Sequence, residues 1–345
     1  MKILVIGKGS ENVISKIKSL REMKHKVDFL KTNKIFPFHK FVNKLFYIFK
    51  LSILDFFIEN FYKKKISKYY DLIFIYNSPY INKKSIYYLK KLSKKIIFYC
   101  ADNPFKKRDK NMWQSFLATK NLYSLIVFQQ PKRAYYAEKN NIKNYIIVPP
   151  SVNTDFFNNS SKVSNYKFDI SFVGTWFPER GKFFYDLHKK GLKFKIFGNR
   201  WNKDKIFYKF IKKKIELGHL NFKRYKKIIS QTKINVCLFS KGNDDDITER
   251  CTEITSSGGL LFCEDSKTMK KMYQKNKDVI FFKTVDEFYD LYKKYHKNNR
   301  LIKWISNNGR NKTLSLNLDE RKVLKKIIDL TFNLKNSNKK IYFNF

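Results

Sequence analysis

The sequence predicts two Rossmann-like α/β domains, each a parallel sheet with helices on both faces, joined by a linker. Three observations predict it. Short, continuous apolar runs alternate with helical patterns almost from the first residue to about residue 330. The alternation is interrupted at Pro149-Pro150 and restarts at Phe168. A chain of 345 residues is long enough for two α/β domains of ordinary size, each with its own core. The hydrophobic share of 43%, with 34 Phe and 22 Tyr, is that of a globular chain with bulky core material.

Each element follows in order. KILVI (2–6) reads as a first strand, residues 11–23 as an amphipathic helix, and KVDFL (26–30) as a second strand. A long aromatic helical region covers 41–65, and DLIFIY (71–76), KIIFYC (95–100), SLIVF (124–128) and YIIVPP (145–150) are further strands with helices between them. Strands that are apolar throughout, rather than alternating, belong to a sheet buried on both faces. The polar stretch 151–166 reads as a linker. The second alternation has strands at FDISFVG (168–174), FKIFG (194–198), INVCLF (234–239), GLLFCE (259–264) and VIFF (279–282). Its helices are expected over 180–190, 222–231, 248–257, 285–294, 301–314 and 319–330. The division is therefore 1–150, linker 151–166, 167–330, and a polar tail 331–345, with a ligand cleft expected between the two domains.

The formal charge of +44 attracts polyanions: nucleic acid, anionic lipid headgroups or diphosphate-bearing substrates. Lys, Asn and Ile are abundant and glycine scarce, as AT-rich coding produces, so part of the excess is compositional. The charge is spread along the chain without an RRM, KH or helix-turn-helix signature, which argues against a nucleic-acid partner. The four cysteines form no CxxC pair or His-Cys cluster and are expected as buried, reduced thiols. The start, MKILVIGKGS, lacks a signal-peptide layout, and residues 45–62 are interrupted by Lys50, Asp55 and Glu59, so a cytoplasmic protein is expected. The aromatic, basic region 36–65 suits either an ordinary core or a surface that docks on an anionic membrane.

Two segments carry the candidate chemistry. In DDDITERCTEITSSGGLLFCED (244–265), Thr248 is an N-cap candidate, and Glu249 and Glu253 share one helix face. Gly258-Gly259 ends that helix and turns into a buried strand. Its N-terminus suits a diphosphate, Arg250 a charge-assisted contact, and Glu253 the hydroxyls of a ribose. The same pattern fits an exposed helix with a solvated Glu253. In DISFVGTWFPERGK (169–182), a strand running into Gly174-Thr175 leaves N–H groups for a phosphate, with Arg180 and Lys182 opening the next helix. A plain βα turn with a surface arginine reads equally from these residues.

The strings VGTWFPER (173–180), FGNRW (197–201), the TERCTE…SSGGLLFCED block and NNGR (307–310) resemble the CgeB-like family, across the whole C-terminal domain. YCADNP (99–104) and VPPSVNTDFF (148–157) extend the resemblance loosely into the first domain. Thr252 departs from the Phe common in the family before the matching glutamate. The resemblance implies the GT-B architecture, related to group 1 glycosyltransferases, with two Rossmann-like domains facing a cleft. It implies a nucleotide-sugar donor as co-substrate, no other cofactor and no metal, with retention of configuration. Glu253 matches the glutamate that holds the nucleotide ribose, and Arg180 and Lys182 match basic residues near the diphosphate. Eight positions before Glu253, where group 1 enzymes often carry an acidic residue, stands Asp245 in an acidic run, which makes it a catalytic candidate, with either Asp245 or Asp246 facing the donor sugar.

In the first domain, Gly7-Lys8-Gly9 is only a fragment of a dinucleotide fingerprint, since Asn12 occupies the third glycine position. Asp102 ends a strand and is the second catalytic candidate, as a base or a group orienting the acceptor; it equally suits a cap ahead of Pro104. The acceptor is expected to be a hydroxyl, on a lipid-linked sugar, a surface polysaccharide or a protein. Two rival expectations stand beside the enzyme: a basic nucleic-acid-binding protein, and a GT-B protein that binds sugar nucleotides without turnover.

Overall fold

The computed structural model describes residues 1–36, 39–49, 53–158, 166–333 and 340–342. Residues 159–165 of the expected linker, and 334–339 and 343–345 of the expected tail, lie outside the described residues. The chain forms two compact units. One holds Met1–Pro149, Lys241–Asp244 and the described residues from Glu320 on; the other holds Pro150–Ser240 and Asp245–Asp319.

The elements of the first half are β1 (Lys2–Gly7), α1 (Glu11–Glu22), β2 (Lys26–Lys31), α2 (His39–Phe49), α3 (Leu54–Lys65), β3 (Tyr70–Tyr76) and α4 (Lys83–Lys91). They continue with β4 (Ser93–Cys100), α5 (Gln114–Thr119), β5 (Leu125–Phe128), α6 (Arg133–Lys139) and β6 (Tyr145–Ile147). The second half has β7 (Phe168–Val173), α7 (Pro178–Lys189), β8 (Phe194–Gly198), α8 (Tyr208–Ile211), β9 (Ile215–Leu217), α9 (Phe222–Ser230) and β10 (Thr232–Cys237). Then come α10 (Glu249–Ser256), β11 (Leu261–Glu264), α11 (Lys267–Met272), β12 (Ile280–Phe282), α12 (Val285–Tyr295), α13 (Asn299–Ser315), α14 (Glu320–Asn333) and β13 (Lys340–Tyr342).

The first sheet has the order β13-β6-β5-β4-β3-β1-β2, with every pairing parallel. Its alternate residues serve two cores, as a parallel sheet covered on both faces requires. Leu4, Ile6, Ile73, Ile75 and Phe98 pack under helices that contribute Phe46, Ile58, Ile86 and Phe116. Ile3, Val5, Leu72, Phe74 and Ile97 pack under Val13, Ile17 and Leu20 of α1 and Val323, Leu324 and Ile327 of α14. The second sheet, β12-β11-β10-β7-β8-β9, is built the same way. Phe172, Val236 and Phe262 face α7, α12 and α13, while Cys237, Leu261 and Cys263 face α9, α10 and α11.

Several elements differ from the sequence reading. The aromatic region 41–65 holds two helices, α2 and α3, and its residues 50–52 lie outside the described residues. Helix α14, which the alternation alone assigns to the second domain, packs in the first unit. Its Glu320 is held there by Lys16 Nζ at 3.1 Å and by the hydroxyls of Ser15 and Ser19 at 2.7 and 2.8 Å. Within the expected polar tail, Lys340–Tyr342 adds a strand beside β6, because an extended backbone at a sheet edge pairs without needing an apolar sequence. The short strand β9 follows a lysine run and carries no periodic signal.

Candidate functional site

In the second sheet the strand order reverses between β7 and β10. In this doubly wound order the connections leaving the carboxyl ends of those two strands part to opposite faces, and the crevice they leave is where such folds bind ligands. The residues around that crevice come from the two segments singled out above.

Arg180, on the first turn of α7, lies across it. The side chain is only 2% exposed, and it donates from one terminal nitrogen to the Thr175 carbonyl (2.7 Å) and from the other to the Leu238 carbonyl (2.8 Å). It thereby ties the ends of β7 and β10 together. Its guanidinium is stacked 4.7 Å from the Phe177 ring and 5.3 Å from Phe172. Burial, and then the positive charge of Arg250, lower its pKa to about 10. The alternative of a surface arginine is therefore corrected: two of its N–H groups serve backbone carbonyls, and Arg180 contributes structure and positive field to the crevice.

Gly174 is also corrected. Its N–H is not open for a phosphate but donates to Phe197 (2.9 Å), and its carbonyl accepts from the Trp201 indole (2.9 Å). The close approach requires glycine on the facing strand as well: Gly198 has φ +152°, and a Cβ there would strike the Gly174 carbonyl. Thr175 presents its carbonyl to Arg180. Lys182 points outward, ion-paired at 2.5 Å with Asp186 one helical turn on, where i,i+4 spacing puts an acid beside it.

Helix α10 starts after β10 and returns across the sheet. Glu253 is 6% exposed, so the solvated alternative does not hold. Glu253, Arg250 and Tyr225 of α9 lie within electrostatic range of one another. Burial, then the nearby Glu253 carboxylate, push the Tyr225 hydroxyl well above its ordinary pKa. Burial disfavours a charged Arg250, yet its neighbours, Glu253 among them, raise its pKa. Three buried polar atoms here have no hydrogen-bond partner among the described residues: Tyr225 Oη, Arg250 Nε and Arg180 Nε. Buried polar atoms are nearly always satisfied, so such a concentration calls for an explanation. Two guanidiniums within range of each other also repel, and an anion offsets that cost.

Thr248 is the N-cap residue of α10, but its side chain makes no capping bond; Oγ1 lies 3.3 Å from Cys237 Sγ. Cys251 on this helix, and Cys237 and Cys263 on the strands beneath it, are buried free thiols. Glu249 is half-buried in the first turn, its carbonyl accepting from Thr252 Oγ1 (2.9 Å). In the acidic run, Asp244 pairs with Lys132 (3.1 Å), and the Asp246 carbonyl accepts from Ser266 (2.6 Å). Asp245 is half-buried, its N–H bonded to the Ser240 carbonyl (3.2 Å).

Gly258 and Gly259 close α10 as a Schellman cap, with N–H bonds to Thr255 and Ile254, both 2.9 Å. They shape the backbone that ends the helix. Gly258 has φ +71°, and a Cβ on Gly259 would lie 2.7 Å from Ile229 Cγ2 and 3.0 Å from Asn235 Nδ2. Gly259→Ala is expected to cost about 1–3 kcal/mol by overpacking, and Gly258→Ala about 1 kcal/mol by backbone strain. Thermal melts that rank the two in that order check this.

In the first unit, Asp102 follows β4. One carboxylate oxygen pairs with Arg108 (2.7 Å) and the other accepts from Asn77 Nδ2 (2.7 Å). Burial alone would lower the Arg108 guanidinium, but its bonds to Asp109 and Asp102 raise it. Lys8, after β1, lies 5.5 Å from the Tyr80 ring; lost hydration lowers its pKa, although Asp102 and Asp109 pull it up. A polar cluster thus gathers at the carboxyl ends of β1, β3 and β4. Asn77, Arg108 and Tyr225 escaped the sequence reading: Tyr225 sits among apolar residues of an amphipathic helix, and nothing in its spacing separates it from core. Among the described residues, no group of three or more His, Cys, Asp or Glu is arranged to hold a metal ion.

Residues 180–325 match the family described as glycosyl transferase-like. The chain also matches solved structures over nearly its whole length. A sucrose-phosphate synthase from Thermosynechococcus elongatus superposes with a TM-score of 0.70 at 10% identity, over 96% of this chain and 99% of that one. Anabaena Alr3699/HepE, solved with UDP and glucose, gives 0.66 at 10% identity, over 97% and 100%. A glycosyltransferase from Rickettsia africae gives 0.61 at 14% identity, over 96% and 99%. A search of curated proteins finds no match. At these identities the structural likeness establishes the fold: two parallel α/β units in the GT-B glycosyltransferase architecture.

Proposed function

We propose that this protein is a glycosyltransferase that moves a sugar from a nucleotide-sugar donor to a hydroxyl acceptor. The observation that carries the reading is the charge arrangement at the β7–β10 crevice, where Arg180 and Arg250 approach each other with both Nε atoms buried and unpartnered. A diphosphate placed by Arg250 meets both charges. The family match over residues 180–325, and a related fold solved with UDP and glucose, support this ligand class. Within the glycosyl transferase-like sequences, the motifs quoted above favour a CgeB-like member.

In this reading Glu253 accepts hydrogen bonds from the nucleotide ribose, with Tyr225 beside it. Glycosyl transfer moves negative charge onto the departing diphosphate, and preformed positive charge lowers that barrier without reorganising. Arg250 supplies the contact, and Arg180 fixes the crevice and adds to the field. These charges serve the leaving group without a metal. Asp245 and Asp102 keep their proposed roles as groups near the transferred sugar and the acceptor; Asp102 is held rigidly by Arg108 and Asn77, as an orienting group requires. The acceptor belongs to surface polysaccharide, glycolipid or protein glycosylation, and the enzyme works in the cytoplasm at the inner face of the membrane.

The test is a panel of UDP-, GDP-, ADP- and CMP-linked sugars, read by thermal shift and by slow donor hydrolysis. One nucleotide class is expected to stabilise the protein by about 2.7 kcal/mol at a hundred times its Kd and to be cleaved. Stabilisation without cleavage, with or without acceptors, favours a binding protein instead. No response to any donor, beside RNA or DNA binding that weakens steeply with salt, overturns the reading.

A further inference from the structure

Helices α2 and α3 are firmly seated on the first unit by their inner sides. Phe46 packs against Phe36 and Tyr80 with ring centroids 5.5 and 5.4 Å apart, and the Tyr47 hydroxyl donates to the Arg108 carbonyl (2.7 Å). In α3, Leu54, Ile58 and Tyr62 are buried, and Tyr62 donates to the Tyr80 carbonyl (2.9 Å). Their outer sides carry large apolar side chains all the same. Phe41 is 64% exposed, Phe49 59%, Ile53 74% and Phe56 64%, with Phe57 partly exposed beside it. Phe49 ends α2 and Ile53 immediately precedes α3, so these exposed groups fall on two consecutive helices of the chain.

This apolar patch has a basic rim. Residues 40–68 contain seven lysines against two acids. One of the acids, Glu59, is neutralised by Lys63 at 2.8 Å, with Lys84 at 3.9 Å. Along the outer side of α3 the character changes from Phe56 and Phe57 to the exposed Lys63, Lys64 and Lys65. Scattered exposed apolar residues need no explanation, but a cluster rimmed by charge of one sign marks a docking surface.

We infer that the α2–α3 face docks on an anionic lipid bilayer, inserting Phe49, Ile53 and Phe56 at headgroup depth while the lysines meet lipid phosphates. The charge selects this occupant. A second copy of the chain would bring the same lysine rim, and another formal +44, against it. An anionic leaflet attracts each lysine near the surface, and the aromatic and aliphatic tips bury beneath the headgroups. No helix among the described residues is long and apolar enough to cross a membrane, so the contact proposed is a peripheral one. The inference deepens the acceptor side of the proposed function, and rests on that reading only for what the surface brings within reach: an acceptor carried on lipid.

The full-length protein is floated with vesicles of phosphatidylcholine alone or mixed with phosphatidylglycerol, without any donor. Binding is expected only with phosphatidylglycerol and is expected to weaken as salt rises. The variant Phe49→Gln/Ile53→Gln/Phe56→Gln is expected to lose roughly tenfold or more in vesicle affinity while keeping its melting temperature, because these side chains touch solvent. Lys63→Gln/Lys64→Gln/Lys65→Gln is expected to weaken the phosphatidylglycerol dependence without touching the apolar patch. Wild-type protein that stays with the soluble fraction at low salt overturns the inference, as does an apolar variant that binds like wild type. An oligomer in solution that the apolar variant breaks, with no vesicle binding, overturns it in favour of a contact between copies. Donor hydrolysis in solution is measured separately, so failure of docking is not failure of the transferase reading.

Discussion

Glu253→Ala is expected to lower donor affinity by roughly a hundredfold or more, and Glu253→Gln by about tenfold. The carboxylate is 6% exposed and shares its surroundings with Arg250 and Tyr225. Hydrogen bonds from ribose hydroxyls to a charged acceptor are worth about 1.5–3 kcal/mol each, against about 0.5–1.5 for neutral partners. Alanine removes both oxygens and leaves Arg250 without a carboxylate that acts on it. Glutamine keeps the shape and one acceptor but not the charge. Titration of the donor class found by the panel checks the order. Wild-type affinity in a folded Glu253→Ala protein would remove the ribose from this residue and with it the proposed orientation of the donor.

Arg180→Ala is expected to cost the second unit about 3–5 kcal/mol, and to lower its melting temperature by roughly 10 °C. The loss has a definite origin. It leaves the Thr175 and Leu238 carbonyls without their donors, and it empties the space between the Phe172 and Phe177 rings. Arg180→Lys is expected to recover little, since a single ammonium on a flexible stem does not span two carbonyls as a planar fork does. Calorimetry of both variants distinguishes this role from a simple donor contact, which would spare stability. Donor affinity measured well below the melting point is also expected to fall, because the field at Arg250 weakens.

The architecture was largely legible because its strands are apolar on both faces, and such runs are hard to read as anything else. Ile3 to Ile6, Leu72 to Ile75 and Ile96 to Phe98 each serve two cores, and no amphipathic alternation confuses them. Elements with little apolar content were not legible: Ile215–Leu217 after its lysines, and Lys340–Tyr342 in a polar tail. At the site, residue type and order pointed to Glu253 and Arg250, and the structure buries the first beside the second. Spacing said nothing of where side chains end. Arg180 is turned inward onto two carbonyls and Lys182 outward onto Asp186, although they stand two positions apart in one motif. Gly174 likewise supplies close packing, and its N–H was spent on a neighbouring strand.

The return of α14 to the first unit sets an order of events during synthesis. Residues 1–149 leave the ribosome first, but one face of their sheet stays without Val323, Leu324 and Ile327, and Lys16 without Glu320, until the last helix emerges. At typical elongation rates that interval is roughly ten to thirty seconds. Throughout it the part of that face around Ile97 of β4, and the flank of α1 that meets α14, form an uncovered apolar surface on a nascent chain, a natural target for a holding chaperone. A stop codon just before Glu320 would make the exposure permanent, turning a truncation remote from every proposed donor contact into an aggregation defect.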